Sequence, residues 1–162
     1  AWPGIRSFPI SRFWGGDGVD KFPDYRFDRY GVTIHVGMGR VNGNLARAQI
    51  WLEQQIMNDM LPFMPLRTGD FQQRTRAMST IMLGSGKVWA AAPPFGRFLF
   101  GGKVMVDPVT GSPWARKGAK KVLTDRDLTF SNPGATARWF ESVKAAQLHR
   151  WKAGATKIMN GR

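Results

Sequence analysis

The 162-residue chain contains no cysteine, which excludes disulfides and thiolate metal sites. It has two histidines, His35 and His149, far apart and outside any H-E-x-x-H pattern, so a histidine-based zinc site is not expected. Acid is scarce: 11 Asp and Glu stand against 24 Lys and Arg, a formal net charge of +13. Such an excess suits a polyanion or an acidic partner and does not distinguish the two. No apolar run approaches the length that crosses a bilayer. Residues 1–16, AWPGIRSFPISRFWGG, lack the continuous apolar centre of a signal peptide. A cytoplasmic origin is expected. What remains is an ordinary globular composition, 43% hydrophobic, long enough to bury a core as one domain.

Residues 1–31 are rich in Gly, Pro and aromatics and show little helical periodicity. Trp2, Phe8, Trp14, Phe22 and Phe27 read either as an arm folded onto the chain's own core or as an arm docking on another subunit. YGVTIHVGMG (30–39) alternates Val32, Ile34 and Val36 against Thr33 and His35, which predicts a strand with one buried face. His35 then faces solvent. In NGNLARAQIWLEQQIMNDML, Asn42 or Asn44 is the expected cap, and Leu45, Ala48, Leu52 and Ile56 form a stripe widened by Trp51. This predicts a helix over 44–59, ended by Pro62. After a turn at 68–70, a strand around 77–83, a Gly84-Ser85-Gly86 turn and a returning strand at KVWAAAPP predict an antiparallel hairpin. PPFGRFLFGG predicts a short helix or turn presenting Phe95, Phe98 and Leu99. LTDRDLTFSNPGATARW reads as turns. From about 136, Phe140, Val143, Leu148, Trp151, Ala155 and Ile158 recur at helical spacing. Gly154 argues against an unbroken helix there, and His149 falls on its surface.

Between these elements lies GGKVMVDPVTGSPWARKGAKK (101–121), turn-rich and mostly positive. Three readings fit it: a loop that grips nucleic acid, a phosphate loop, or an arm that holds a neighbouring subunit. A phosphate loop is disfavoured. GSGK at 84–87 lacks the first glycine of that motif, and Lys87 precedes Val88 rather than Ser or Thr. Asp107, Asp125 and Asp127 are the carboxylates nearest a metal-dependent nuclease pattern, but structural turns and local ion pairs explain them more simply. No activated nucleophile is evident. Lys103, Arg116, Lys117, Lys120 and Lys121 can meet phosphates without reading sequence. Trp114 either stacks on a base or anchors into protein, and the second is the simpler reading.

Three segments carry a resemblance. LPFMPLRTGDF, APPFGRFLFGGKVMVDPVTGSPWARKG and NPGATARWFESVKAAQLHRWKAGA, in that order within residues 42–159, resemble a tailed-phage minor capsid protein family. It is similar to the neck and tail-completion proteins of siphophage-like virions. Pro65, Thr68 and Gly69 match the early turn. Pro94, Phe95, Gly96, Arg97, Phe100, Gly101 and Lys103 match the middle element, with Phe95 and Gly96 standing where Tyr and Ala are usual. Trp139 and Phe140 match the start of the closing helix, while the amino-terminal region matches less clearly.

The resemblance implies a structural, non-enzymatic subunit of the head–tail connector, with no cofactor, metal or catalytic residue. It implies a ring, a hexamer or alternatively a dodecamer, at the head–tail junction of the virion. Its partners would be portal adaptor or stopper proteins, tail terminator or tail tube proteins, and the genomic DNA passing through the lumen. The expected fold is α+β: a small twisted, mainly antiparallel sheet packed with helices, an extended N-terminal arm (1–31) and a domain (32–162) with a long loop region (101–135). Subunit contacts are expected at Trp2, Phe8, Trp14, Phe95, Arg97, Phe100 and Trp114. Lys103, Arg116, Lys117, Lys120 and Lys121 are expected to face the DNA channel or an acidic partner. The alternative is a free, sequence-nonspecific nucleic-acid-binding protein.

Overall fold

The computed structural model describes residues 8–9, 21–29 and 31–161. The fold is α+β. Its strands are β1 (Phe8–Pro9), β2 (Tyr25–Arg29), β3 (Val32–Val36), β4 (Lys87–Val88), β5 (Lys103–Val106) and β6 (Val122–Asp127). Its helices are α1 (Gly39–Met60), α2 (Asp70–Ile81), α3 (Gly96–Gly101) and α4 (Trp139–Met159), with a 3-10 turn at Leu61–Phe63. Among the described residues the strands pair antiparallel and two by two, β1 with β4, β2 with β3, and β5 with β6. The expected single sheet is thus distributed over separate ribbons. The 31/32 boundary falls inside the β2–β3 hairpin, so the arm and the domain share an element.

The core is a pair of long antiparallel helices. Leu52, Ile56, Met57 and Met60 of α1 and Phe140, Val143, Trp151 and Ala155 of α4 are buried. Full burial of the larger of these side chains contributes about 1.5–3 kcal/mol each. Three contacts fix the antiparallel sense. Asn44 Nδ2 donates to the Met159 carbonyl at 3.0 Å. The Trp51 ring lies over Gly154. Asp59 accepts from the Trp151 indole at 2.7 Å and from Arg150 at 3.3 Å. Gly154 therefore does not break α4. A Cβ there would stand 2.1 Å from the Trp51 ring, so glycine is what permits the close approach. The helix α1 begins at Gly39, earlier than expected, and neither asparagine caps it. Asn44 reaches across to α4, and Asn42 holds the Phe22 backbone through both its N–H and its carbonyl at 2.8 Å.

The expected strand at 77–83 is instead the last turns of α2, which ends at Ile81, and the turn that follows. Residues 70–81 are rich in Gln, Arg, Ala and Met, which favour helix. The inward face of α2 carries hydroxyls: Thr75 is fully buried and Ser79 nearly so. Thr75 Oγ1 accepts the Ala92 N–H at 3.1 Å, and Ser79 Oγ accepts the Trp89 N–H at 3.1 Å. The helix thus satisfies the backbone of the buried 89–92 segment, where the expected returning strand shrinks to Lys87–Val88. Beyond it, Trp139 packs edge-on against Phe71 and Phe100 and donates its indole N–H to the Ala90 carbonyl at 2.9 Å.

The short helix at 96–101 forms as expected, closed by Gly102 at φ 66°. Residues 123–127, expected as turns, belong instead to β6, which returns along β5 with Lys103 opposite Asp127 and Val106 opposite Val122. The strand at 32–36 forms as well, but its expected buried face is open: Val32, Ile34 and Val36 are all exposed.

Candidate partner-binding loop

The basic stretch becomes the connection between β5 and β6, residues 107–121. Asp107 organises it. Its side chain is fully buried and accepts the Val109 N–H at 2.8 Å and the Thr110 N–H at 3.3 Å, turning the chain immediately after β5. It also accepts the Arg116 N–H at 3.1 Å and both arms of the Arg116 guanidinium, Nε at 2.9 Å and Nη2 at 3.2 Å. A short ladder closes the turn: the Asp107 N–H donates to the Ser112 carbonyl, and the Gly111 N–H to the Asp107 carbonyl. Further on, Lys121 Nζ donates to the Pro113 carbonyl at 2.6 Å. Hydrogen bonding to the ionised form, led by Arg116, holds the Asp107 carboxyl well below the usual carboxylate range. The same pair raises the Arg116 guanidinium. The ordering of the loop is thus carried by one carboxylate with many donors.

This arrangement sorts the five basic candidates. Arg116 is committed to Asp107. Lys103 bridges to Asp127 at 2.7 Å. Lys121 is bound to the loop's own backbone. Lys117 and Lys120 are exposed and carry the loop's outward charge. Beside them Trp114 is 88% exposed and Val109 73%. Trp114 does not anchor into the described part of its own chain: the loop presents it to solvent.

The expected subunit contacts divide differently. Trp2 and Trp14 lie outside the described residues, as does the side chain of Phe8, whose backbone pairs with Val88. Phe95 is exposed, and Arg97 stacks over the Phe98 ring at 4.4 Å. Phe100 is 2% exposed and packs on Trp139, so it belongs to the core and not to a contact surface.

Two other motifs resolve. The Gly84-Ser85-Gly86 turn does gather backbone N–H groups, as a phosphate loop would. Its anion is Glu53, which is 1% exposed and accepts from Gly84 N at 2.6 Å and Gly86 N at 2.7 Å. Gln49 adds a bond to the same carboxylate at 3.2 Å. Sequence reasoning missed Glu53; the available signal was Gln49 and Glu53 four apart, beside the apolar stripe of α1. Among the described residues no three His, Cys, Asp or Glu side chains gather as a metal site. Asp107 and Asp127 are engaged in the ion pairs given above, and His35 and His149 are exposed. Compared with protein-family models, curated proteins and solved structures, the chain finds no match.

Proposed function

We propose that the chain is a structural subunit of the head–tail connector of a siphophage-like virion. In this reading it forms a ring, a hexamer or a dodecamer, around the DNA channel. The ring meets portal adaptor or stopper proteins on one side and tail terminator or tail tube proteins on the other. The observation that carries the reading is the 107–121 loop, which Asp107 pre-orders while Trp114 stands 88% exposed at its surface. A pre-ordered loop with an aromatic knob loses little entropy on docking, and exposed tryptophans are frequent anchors of protein interfaces. The resemblance of residues 42–159 to neck proteins supports the same conclusion, and the excess of 24 basic over 11 acidic residues suits a channel or an acidic neighbour. Cryo-electron microscopy of intact particles tests it. Density for this chain in a ring at the head–tail neck is expected; its absence from finished particles would refute the assignment.

The second reading is a free nucleic-acid-binding protein. The juxtaposition of Trp114 with Lys117 and Lys120 favours it, since bases stack on tryptophan while cations meet phosphate. It requires salt-sensitive binding by the purified chain, measured with fluorescent single-stranded and duplex DNA across a range of salt. Tight binding that weakens steeply with salt would favour this reading over the connector.

A further inference from the structure

The β2–β3 ribbon is two-faced. Register places Tyr25 opposite Val36 and Phe27 opposite Ile34, so these four share a face with Val32, which stands opposite Arg29. The other face carries Arg26, Asp28, Thr33 and His35, with Arg26 paired to Asp28 at 3.2 Å and Thr33 donating to Asp28 at 2.5 Å. Arg26, Asp28 and Thr33 are therefore joined to one another. The apolar face is bare: Tyr25 is 44% exposed, Phe27 58%, Val32 60%, Ile34 54% and Val36 42%. An isolated two-stranded hairpin is at best marginal in water. This one is tethered to the start of α1 by the bonds between Phe22 and Asn42 and by Met38 N–H donating to Asp24 at 2.6 Å. The tethers hold the ribbon at the helix terminus and leave the apolar side uncovered.

We infer that this face is the docking surface for a second copy of the same chain. Two observations select that occupant. The exposed apolar area of the five side chains is on the order of 500 Å², the size of patch that marks an interface. It amounts to roughly two thirds of the ~800 Å² each partner gives to a standard interface. The ribbon is also where a second strongly basic chain can approach. Residues 21–36 hold three basic and two acidic residues, a net +1 within a chain of +13. An acidic partner would be drawn elsewhere, to the charge-rich second half, whereas a largely apolar face, whose one charged position by register is Arg29 at its turn end, suits contact between like-charged copies. This inference does not rest on the connector reading. It is compatible with a ring if the ribbon docks on a different surface of its neighbour, and with a two-fold pair if ribbon meets ribbon.

The test uses the full chain. A photocrosslinking amino acid is placed at Phe27 in an equal mixture of normal and ¹⁵N-labelled protein, and crosslinked peptides are identified by mass spectrometry. Mixed-isotope crosslinks are expected, because they can form only between copies. Sedimentation velocity across protein concentration should show association that Ile34→Lys weakens at least tenfold. Thr33→Lys, on the opposite face one residue away, should leave it unchanged. Circular dichroism of both variants checks that the fold is intact. Crosslinks confined to single-isotope peptides would mean that the chain covers its own ribbon and would overturn the inference. So would a chain that stays monomeric without crosslinks, or association indifferent to Ile34→Lys. A chain that associates through the ribbon but is absent from the neck would refute only the connector assignment.

Discussion

The α1–α4 pair and the 107–121 loop are both well defined, and they are ordered by opposite means. The helices are held by buried bulk: Trp139 and Trp151 are almost completely enclosed, and each places its one polar atom on an acceptor. The loop buries almost nothing. Val109 and Trp114 stand in solvent, and a single carboxylate collects the donors that keep the backbone in place. Burial is non-directional and sums over many contacts, so the helix pair supplies the stability of the domain. A hydrogen-bonded clamp is directional and local, so it can shape a surface without burying apolar groups. Ordered by the second means, the loop keeps its apolar groups Val109 and Trp114 available to solvent.

The largest effect that would break this comparison lies in the core. Trp139→Ala removes a buried ring and its bond to Ala90, and should cost about 3–5 kcal/mol, a large share of the ~5–15 kcal/mol that keeps a domain folded. Urea unfolding measures it; a loss below about 1 kcal/mol would mean that the ring is not central. Next comes Gly154→Ala. Helix propensity alone would make this change stabilising by about 1 kcal/mol. The Trp51 ring 2.1 Å from the new Cβ reverses the sign, with an expected cost of about 1–3 kcal/mol from overpacking. A stabilised variant would show that α1 and α4 do not approach as described.

How much of this was legible in sequence follows the same division. The helices α1 and α4 announce themselves because Leu52, Ile56, Phe140, Val143, Trp151 and Ala155 repeat at 3.6-residue spacing and are in fact buried. The helix α2 hides because its inward residues are Thr75 and Ser79, whose role is to bond backbone and not to exclude water. The strand β6 hides because Asp125, Arg126 and Asp127 show no alternation, and its residues are exposed apart from a half-buried Thr124. The ribbon was readable as a strand from Val32, Ile34 and Val36, but alternation reports a face that wants cover and is silent on which chain supplies it. The basic, turn-rich character of residues 101–121 was readable. That Arg116 would be committed to Asp107 while its side chain stays exposed was not, because the pairing joins residues nine apart through a turn whose geometry composition does not encode.

The clamp can be probed by charge. Asp107→Asn keeps the shape and removes the anion, so Arg116 loses its ionic partner. Limited proteolysis should then cut within 108–121 faster than in the parent, with a fall in the urea midpoint smaller than that of Trp139→Ala. Acid acts on the same bond. A carboxylate whose folded pKa is depressed stabilises above its unfolded value, near ~4, and loses that contribution only as pH falls through the lower folded value. The loop should therefore stay closed at pH 3, where exposed carboxylates are largely protonated. NMR of the Arg116 Nε–H follows this directly: loss of its protected signal at pH 4 would show that the pair is weaker than the geometry implies.

The smallest effect is the most informative about what the loop is for. Trp114→Ala removes the largest exposed side chain in the loop, 88% accessible, and Trp114 makes no described side-chain hydrogen bond; the loop bond it does make is from its backbone N–H to Ser112. Urea unfolding of the isolated chain should shift by less than about 0.5 kcal/mol, as for a surface substitution away from packing or bonding features. If the loop docks on a partner, the same change should sharply reduce incorporation into particles, measured by quantitative immunoblotting of purified virions from cells expressing the variant. A stability loss comparable to Gly154→Ala would place Trp114 in the fold and remove the ground for treating the loop as a contact element. Unchanged stability with unchanged incorporation would leave the clamp intact but show that the exposed indole is not what the partner reads, shifting attention to Lys117 and Lys120. Only the combination of a silent stability change and lost incorporation separates a surface built for docking from a loop that merely closes β5 onto β6.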